Sequence, residues 1–166
     1  MATNFERAFA KRPEVFAAWQ QLNGAIKAGM DLRRYELATL AAAQRLRSSY
    51  CSLAHGRVLR DDFGEQPAEI ARDRSTLDAV DRAVMDLAEK VVDDATSVGD
   101  ADLEALRALG LSEAEIMDVV LAASARCFFS KTLDALGVLP DASYADEFPP
   151  DDLEVLVVGR PIADPG

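Results

Sequence analysis

One histidine and two cysteines are all the imidazole and thiol groups that this 166-residue chain contains. The cysteines, Cys51 and Cys127, stand 76 positions apart, which is no framework of the kind that staples small secreted domains. Each is therefore read as a thiol in a reducing compartment. A closed zinc site needs four ligands, and Cys51 with His55 supplies two, so no metal and no other cofactor is expected. Positive charge is also scarce: 18 lysines and arginines face 29 acidic residues, for a net charge of −11. That balance argues against nucleic acid and against an anionic membrane surface, both of which call for concentrated positive charge. Apolar runs long enough to cross a bilayer are missing, and the charged start, Met1 to Phe16, lacks the apolar core of a secretory signal. A cytoplasmic location without membrane contact is the expectation.

What is present is a 49% hydrophobic composition, enough to bury one core without staples. The periodicity of its apolar residues is that of helices. Pro13 opens a stretch with Val15, Phe16, Trp19, Leu22 and Ile26 at helical spacing, ended by Gly29. Asp31 is the expected N-cap of a second helix running to Leu46 and carrying Glu36. Ser48 or Ser49 caps a third, with Cys51 in its first turn. A short helix over 68–72 follows a turn around Pro67, and Ser75 or Thr76 opens the next, which runs through Val92. Residues 100–110 form a short helix ended by Gly110, and Ser112 with Glu115 forms a capping box. The helix after it is apolar on nearly all sides, which predicts a central position or a subunit interface, until Gly137 and Pro140 stop it. From Asp141 the chain is acidic and proline-containing, apart from the apolar run Leu153 to Val158. That run predicts an extended arm packed on its own domain or on a neighbouring subunit. The fold class is thus all-α, with about six to eight helices over 1–140 and an extended tail over 141–166. The acidic pairs Asp93, Asp94 and Asp151, Asp152 read as solvated surface.

Chemistry concentrates around residue 51. A cysteine and a histidine at i and i+4 share one helical face, so His55 is placed to exchange a proton with Cys51 directly or through one water. Free N–H groups and the positive end of the helix dipole in the first turn favour the thiolate form. A carboxylate such as Glu36 would orient the imidazole. Cys127, flanked by Ala125, Phe128 and Phe129, reads as a packed core thiol.

Glu36, eleven intervening residues, Ser48-Ser49-Tyr50-Cys51, three more residues and His55 together resemble the motif of the AhpD-like proteins of the carboxymuconolactone decarboxylase superfamily. The stretch Leu106 to Ile116 and the helix ending Leu133 to Val138 are similar to later helices of that family, so the resemblance covers roughly Leu32 to Pro140. It implies a helical fold and a thiol peroxidase in which Cys51 attacks hydrogen peroxide or an organic hydroperoxide, His55 and Glu36 relay its proton, and an external thiol is the reductant. Homo-oligomers are implied as well. The departure is Ser48, which stands where dithiol members carry a second cysteine. No local disulfide can form there, although the serine hydroxyl can donate a hydrogen bond to Cys51. Oxidised Cys51 would then be resolved by an outside thiol, by Cys127 or by another subunit. Two further readings stay open: a decarboxylase-like enzyme acting on a lactone or small carboxylic acid without thiol redox change, and a non-catalytic, redox-sensing helical oligomer.

Overall fold

The computed structural model describes residues 2–165. It contains α1 (Asn4–Phe9), α2 (Pro13–Gly29), α3 (Leu32–Arg45), α4 (Ser49–Phe63), α5 (Pro67–Arg72), α6 (Ala79–Asp94), α7 (Asp100–Ala108), α8 (Glu113–Ala135), α9 (Tyr144–Glu147) and α10 (Pro150–Leu156), with no strand among the described residues. The fold is all-α, as the periodicity implies. The helices beyond those anticipated are the short ones near the two ends, α1, α9 and α10.

The caps show why the chain breaks where it does. Asp31 accepts the Arg34 N–H and starts α3, while Ser112 and Glu115 close a reciprocal capping box at α8. A second such box, Thr3 with Glu6, starts α1. The start expected at Ser75 or Thr76 lies later: residues 74–76 make a single 3-10 turn, and the Asp78 carboxylate, which accepts the Asp81 N–H, caps α6. A carboxylate at the N-cap also suits the positive end of the helix dipole.

Helix α3 lies in the middle, packed on α4, α6 and α8. Ala38, Ala41, Ala42 and Ala43 are fully buried, and their small side chains let the neighbouring backbones come close. Helix α8 turns Ile116, Val119, Ala123 and Leu133 inward, whereas Met117, Leu121, Phe128 and the following Leu136 are exposed. It is central along one face only. No helix among the described residues is long and apolar enough to cross a membrane.

The tail corrects the expectation of an extended arm. Pro150 occupies the first turn of α10, with Asp151 and Asp152 beside it, and the helical turn puts Leu153 and Leu156 on one side. Leu156 is fully buried against α4 and α5, where Gly56 leaves the room: a Cβ there would stand 3.4 Å from both Leu156 and Pro67. Beyond α10 the chain crosses the α3–α4 turn. Gly159 donates its N–H to Ser49 Oγ (2.8 Å), and Arg47 Nε bonds the Val158 carbonyl (3.2 Å). The Gly159 backbone lies so near the Arg47 carbonyl that a Cβ would come within 2.0 Å of its oxygen. The segment ends along the interhelical cavity described next, with Ala163 N–H bonded to the Pro140 carbonyl.

Candidate functional site

A cavity of about 630 Å³ opens between α1, α2, α3, α4, α8 and the start of α9. Aromatic rings and polar side chains share its walls. Trp19 stacks on Phe129 with ring centroids 4.1 Å apart, Phe5 meets Phe129 and Tyr50 edge-on, and Tyr144 packs edge-on against Tyr50. Tyr50 also donates to Asp141. Both ends of the described chain contribute, through Thr3 and Asn4 on one side and Ala163 and Asp164 on the other.

Cys51, His55 and Glu36 all line this cavity. Cys51 is the third residue of α4, in its first turn, and its side chain is buried. The i, i+4 relation puts His55 one turn further along the same wall. Glu36 comes from the second turn of α3, whose start Asp31 fixes. Although it reads in sequence equally well as a solvated helix charge, it is only 1% exposed. Its Oε2 meets His55 Nδ1 at 2.5 Å, and its Oε1 receives Lys27 Nζ at 2.7 Å.

The electrostatics of this group give each member a form. Burial opposes ionisation of Glu36, but the His55 hydrogen bond and the Lys27 ammonium outweigh it and hold the carboxyl below its ordinary range. Burial, aided by the Arg126 charge, pulls His55 below the ordinary imidazole value against the opposing pull of Glu36. The arrangement is an ionised carboxylate and a neutral imidazole. With Glu36 as acceptor, Nδ1 carries the proton and donates, which leaves Nε2 as a free base.

The polar neighbour of the sulfur is one that the sequence reading passes over. Arg126 of α8 is buried and points Nη1 at Cys51 Sγ (3.6 Å) and Nη2 at the Tyr35 hydroxyl (3.3 Å). Tyr35 in turn donates to Asn23 Oδ1 at 2.7 Å. A signal for Arg126 exists in the sequence, since it is the sole charged residue between Asp118 and Lys131 on an otherwise apolar helix. Lys27, Tyr35 and Asn23 carry no such mark.

Two other sequence candidates stand apart. Ser48, expected to donate to Cys51, is the N-cap of α4 with an extended backbone (φ −97°, ψ 95°), which takes it off the face shared by Cys51 and His55. It is buried, does not border the cavity, and has the Asp134 carboxyl of α8, not the Cys51 sulfur, beside its hydroxyl. Cys127 follows Arg126 on α8 but faces away from the cavity and is half-buried. No group of three or more His, Cys, Asp or Glu side chains placed to hold a metal ion occurs among the described residues.

Comparison with known proteins bears on the fold that carries this site. Residues 13–74, which include Glu36, Cys51 and His55, match the carboxymuconolactone decarboxylase family. The chain superposes on an uncharacterized peroxidase-related protein from Ralstonia eutropha JMP134, described as an alkylhydroperoxidase AhpD core, with a TM-score of 0.78 at 22% identity, covering 96% of this chain and 84% of that one. A second uncharacterized peroxidase-related protein, from Silicibacter sp. TM1040, superposes with a TM-score of 0.80 at 22% identity, covering 87% of this chain and 79% of its own. No curated protein sequence matches.

Proposed function

Starting from an AhpD-like fold and carboxymuconolactone decarboxylase family sequence over residues 13–74, we propose that this protein is a thiol-dependent, alkylhydroperoxidase-like oxidoreductase. It reduces hydrogen peroxide or organic hydroperoxides through Cys51. The observation that carries the reading is the meeting, on the wall of one roomy cavity, of a buried thiol with a neutral histidine held by an ionised glutamate. His55 Nε2 takes the Cys51 proton, directly or through one water, and the charge gained by the imidazole is balanced by Glu36. The thiolate then attacks the outer peroxide oxygen. An S–O bond forms, the O–O bond breaks, and the departing alkoxide takes the proton back from His55. Thiol and hydroperoxide have become sulfenic acid and alcohol. One external thiol condenses with the sulfenic acid, releasing water and leaving a mixed disulfide, and a second displaces it to restore Cys51. Resolution from outside is required because Ser48 supplies no thiol and Cys127 faces away.

The exposed Met117, Leu121 and Phe128 on α8, with Leu22 on α2, support assembly into a homo-oligomer as part of this reading. The non-redox alternative, chemistry on a lactone or small carboxylic acid, draws support from the family match and would use the same histidine and glutamate. It predicts activity that survives alkylation of Cys51.

The test is anaerobic stopped-flow mixing of reduced protein with hydrogen peroxide and with cumene hydroperoxide, followed by dimedone trapping and mass spectrometry. Fast, saturable oxidation confined to Cys51 is expected. Oxidation at the pace of a free thiol, or equal labelling of Cys127, overturns the peroxidase reading.

A further inference from the structure

Burying a guanidinium costs several kcal/mol unless something of opposite charge or strong dipole meets it. Arg126 is 3% exposed, and among the described residues no carboxylate stands within ion-pair distance of it. What surrounds it is two aromatic rings, Trp19 and Phe129, with centroids 5.9 and 5.5 Å from the guanidinium carbon, the Tyr35 hydroxyl, and Cys51 Sγ. Its Nε–H has no partner among the described residues. Cation–π contacts recover part of the desolvation cost and leave the charge itself unmatched.

We propose that Arg126 is the charge partner of an anionic Cys51, held in place by the hydrogen-bond chain Asn23–Tyr35–Arg126, and is thus a catalytic residue of the thiol chemistry. The direction of that chain supports it. Because the Tyr35 hydroxyl spends its proton on Asn23, only its lone pairs face Arg126, so the guanidinium is the donor there as it is toward sulfur. The other ionisable groups near the sulfur do not take this part. Glu36 is already matched by Lys27 and His55. Burial pushes Tyr50 above the ordinary phenol value and Tyr144 up to about 12, so both are neutral at ordinary pH. Asp141 accepts from Tyr50 and from the Asn4 N–H, and Asp164 is exposed to solvent. That leaves Cys51, once His55 has taken its proton, to carry the negative charge beside the guanidinium. The proposal deepens the peroxidase reading, since it names the residue that stabilises the attacking sulfur, yet it concerns the state of the thiol before any peroxide arrives.

The experiment uses the full chain with Cys127→Ser, so that a single thiol is read, and measures the rate of iodoacetamide alkylation as a function of pH. An adjacent opposite charge is worth one to three decades in ionisation. Arg126→Met should therefore slow alkylation at pH 7 by about tenfold or more and move the profile toward higher pH, and Arg126→Lys should restore part of the loss. If Arg126→Met does not fold, as judged by circular dichroism and melting, Tyr35→Phe is the readout: the arginine stays but loses its anchor, and a smaller shift in the same direction is expected. An unchanged pH profile in a folded Arg126→Met, or in Tyr35→Phe where that variant is the readout, overturns the proposal. A shifted profile in a protein that consumes no peroxide upholds Arg126 and sinks only the peroxidase reading.

Discussion

Cys51 and Cys127 are both thiols on buried stretches of helix, and the structure gives them opposite surroundings. Cys51 opens α4, where first-turn N–H groups and the helix dipole act on it, and it faces a guanidinium across a cavity shared with a neutral histidine. Cys127 sits in the middle of α8, where burial pushes its thiol up and Lys131 only partly offsets the effect. The two environments meet at adjacent residues. Arg126 points at Cys51, whereas Cys127, about 100° further round the same helix, is turned away from the cavity. Burial alone therefore says little about a cysteine; the charge that burial places beside it says more.

The contrast can be broken most severely by Cys51→Ser, which should reduce peroxide consumption to the thiol-free background and, because it leaves the buried Arg126 charge without its partner, lower the melting temperature as well. Residual turnover would mean that the wrong thiol has been singled out. His55→Ala should keep the thiol and lose its base, lowering the second-order rate with cumene hydroperoxide by about a hundredfold at neutral pH, the lower range for general-base catalysis. A fall no greater than twofold would leave the imidazole a structural role only. A titration sharpens the same point. Because the folded His55 lies below the ordinary value of 6.5, the native state binds fewer protons than the unfolded one between the two values. Its contribution to stability is complete above about 6.5 and is lost as the pH falls through the lower folded value. Urea midpoints should thus decline on acidification more in the parent than in His55→Ala. The smallest effect belongs to Cys127→Ser, expected to alter peroxide kinetics by less than twofold and stability by about 0.5 kcal/mol or less. A large kinetic loss there would make Cys127 the resolving thiol.

The parts of the site that could be read from sequence are those fixed by local spacing. Cys51 and His55 are four apart on one helix, and Glu36 follows a recognisable cap. Arg126 reaches the sulfur, and Tyr35 reaches Arg126, only because α3, α4 and α8 pack together, and no local pattern encodes which face of α8 turns inward. Helix starts were legible where one cap stood alone, as at Asp31 and Ser112, and shifted where several polar residues competed, as between Ser75 and Asp78. Helix α1 has its signal in the Thr3–Glu6 box, a feature that apolar periodicity does not register. In the tail, the β-branched residues between Leu153 and Val158 favour extension, but Pro150 and the docking of Leu156 beside Gly56 decide for a helix.

Gly159 sets the alignment of everything after it. The Arg47 carbonyl leaves no space for a Cβ, and one step along the chain in either direction stands a valine or an arginine. The strap cannot slip by a single residue, so the contact works as an index pin, fixing where Ala163 and Asp164 meet the cavity. A loop lengthened or shortened ahead of it would be absorbed before the pin instead of being passed on to the cavity wall.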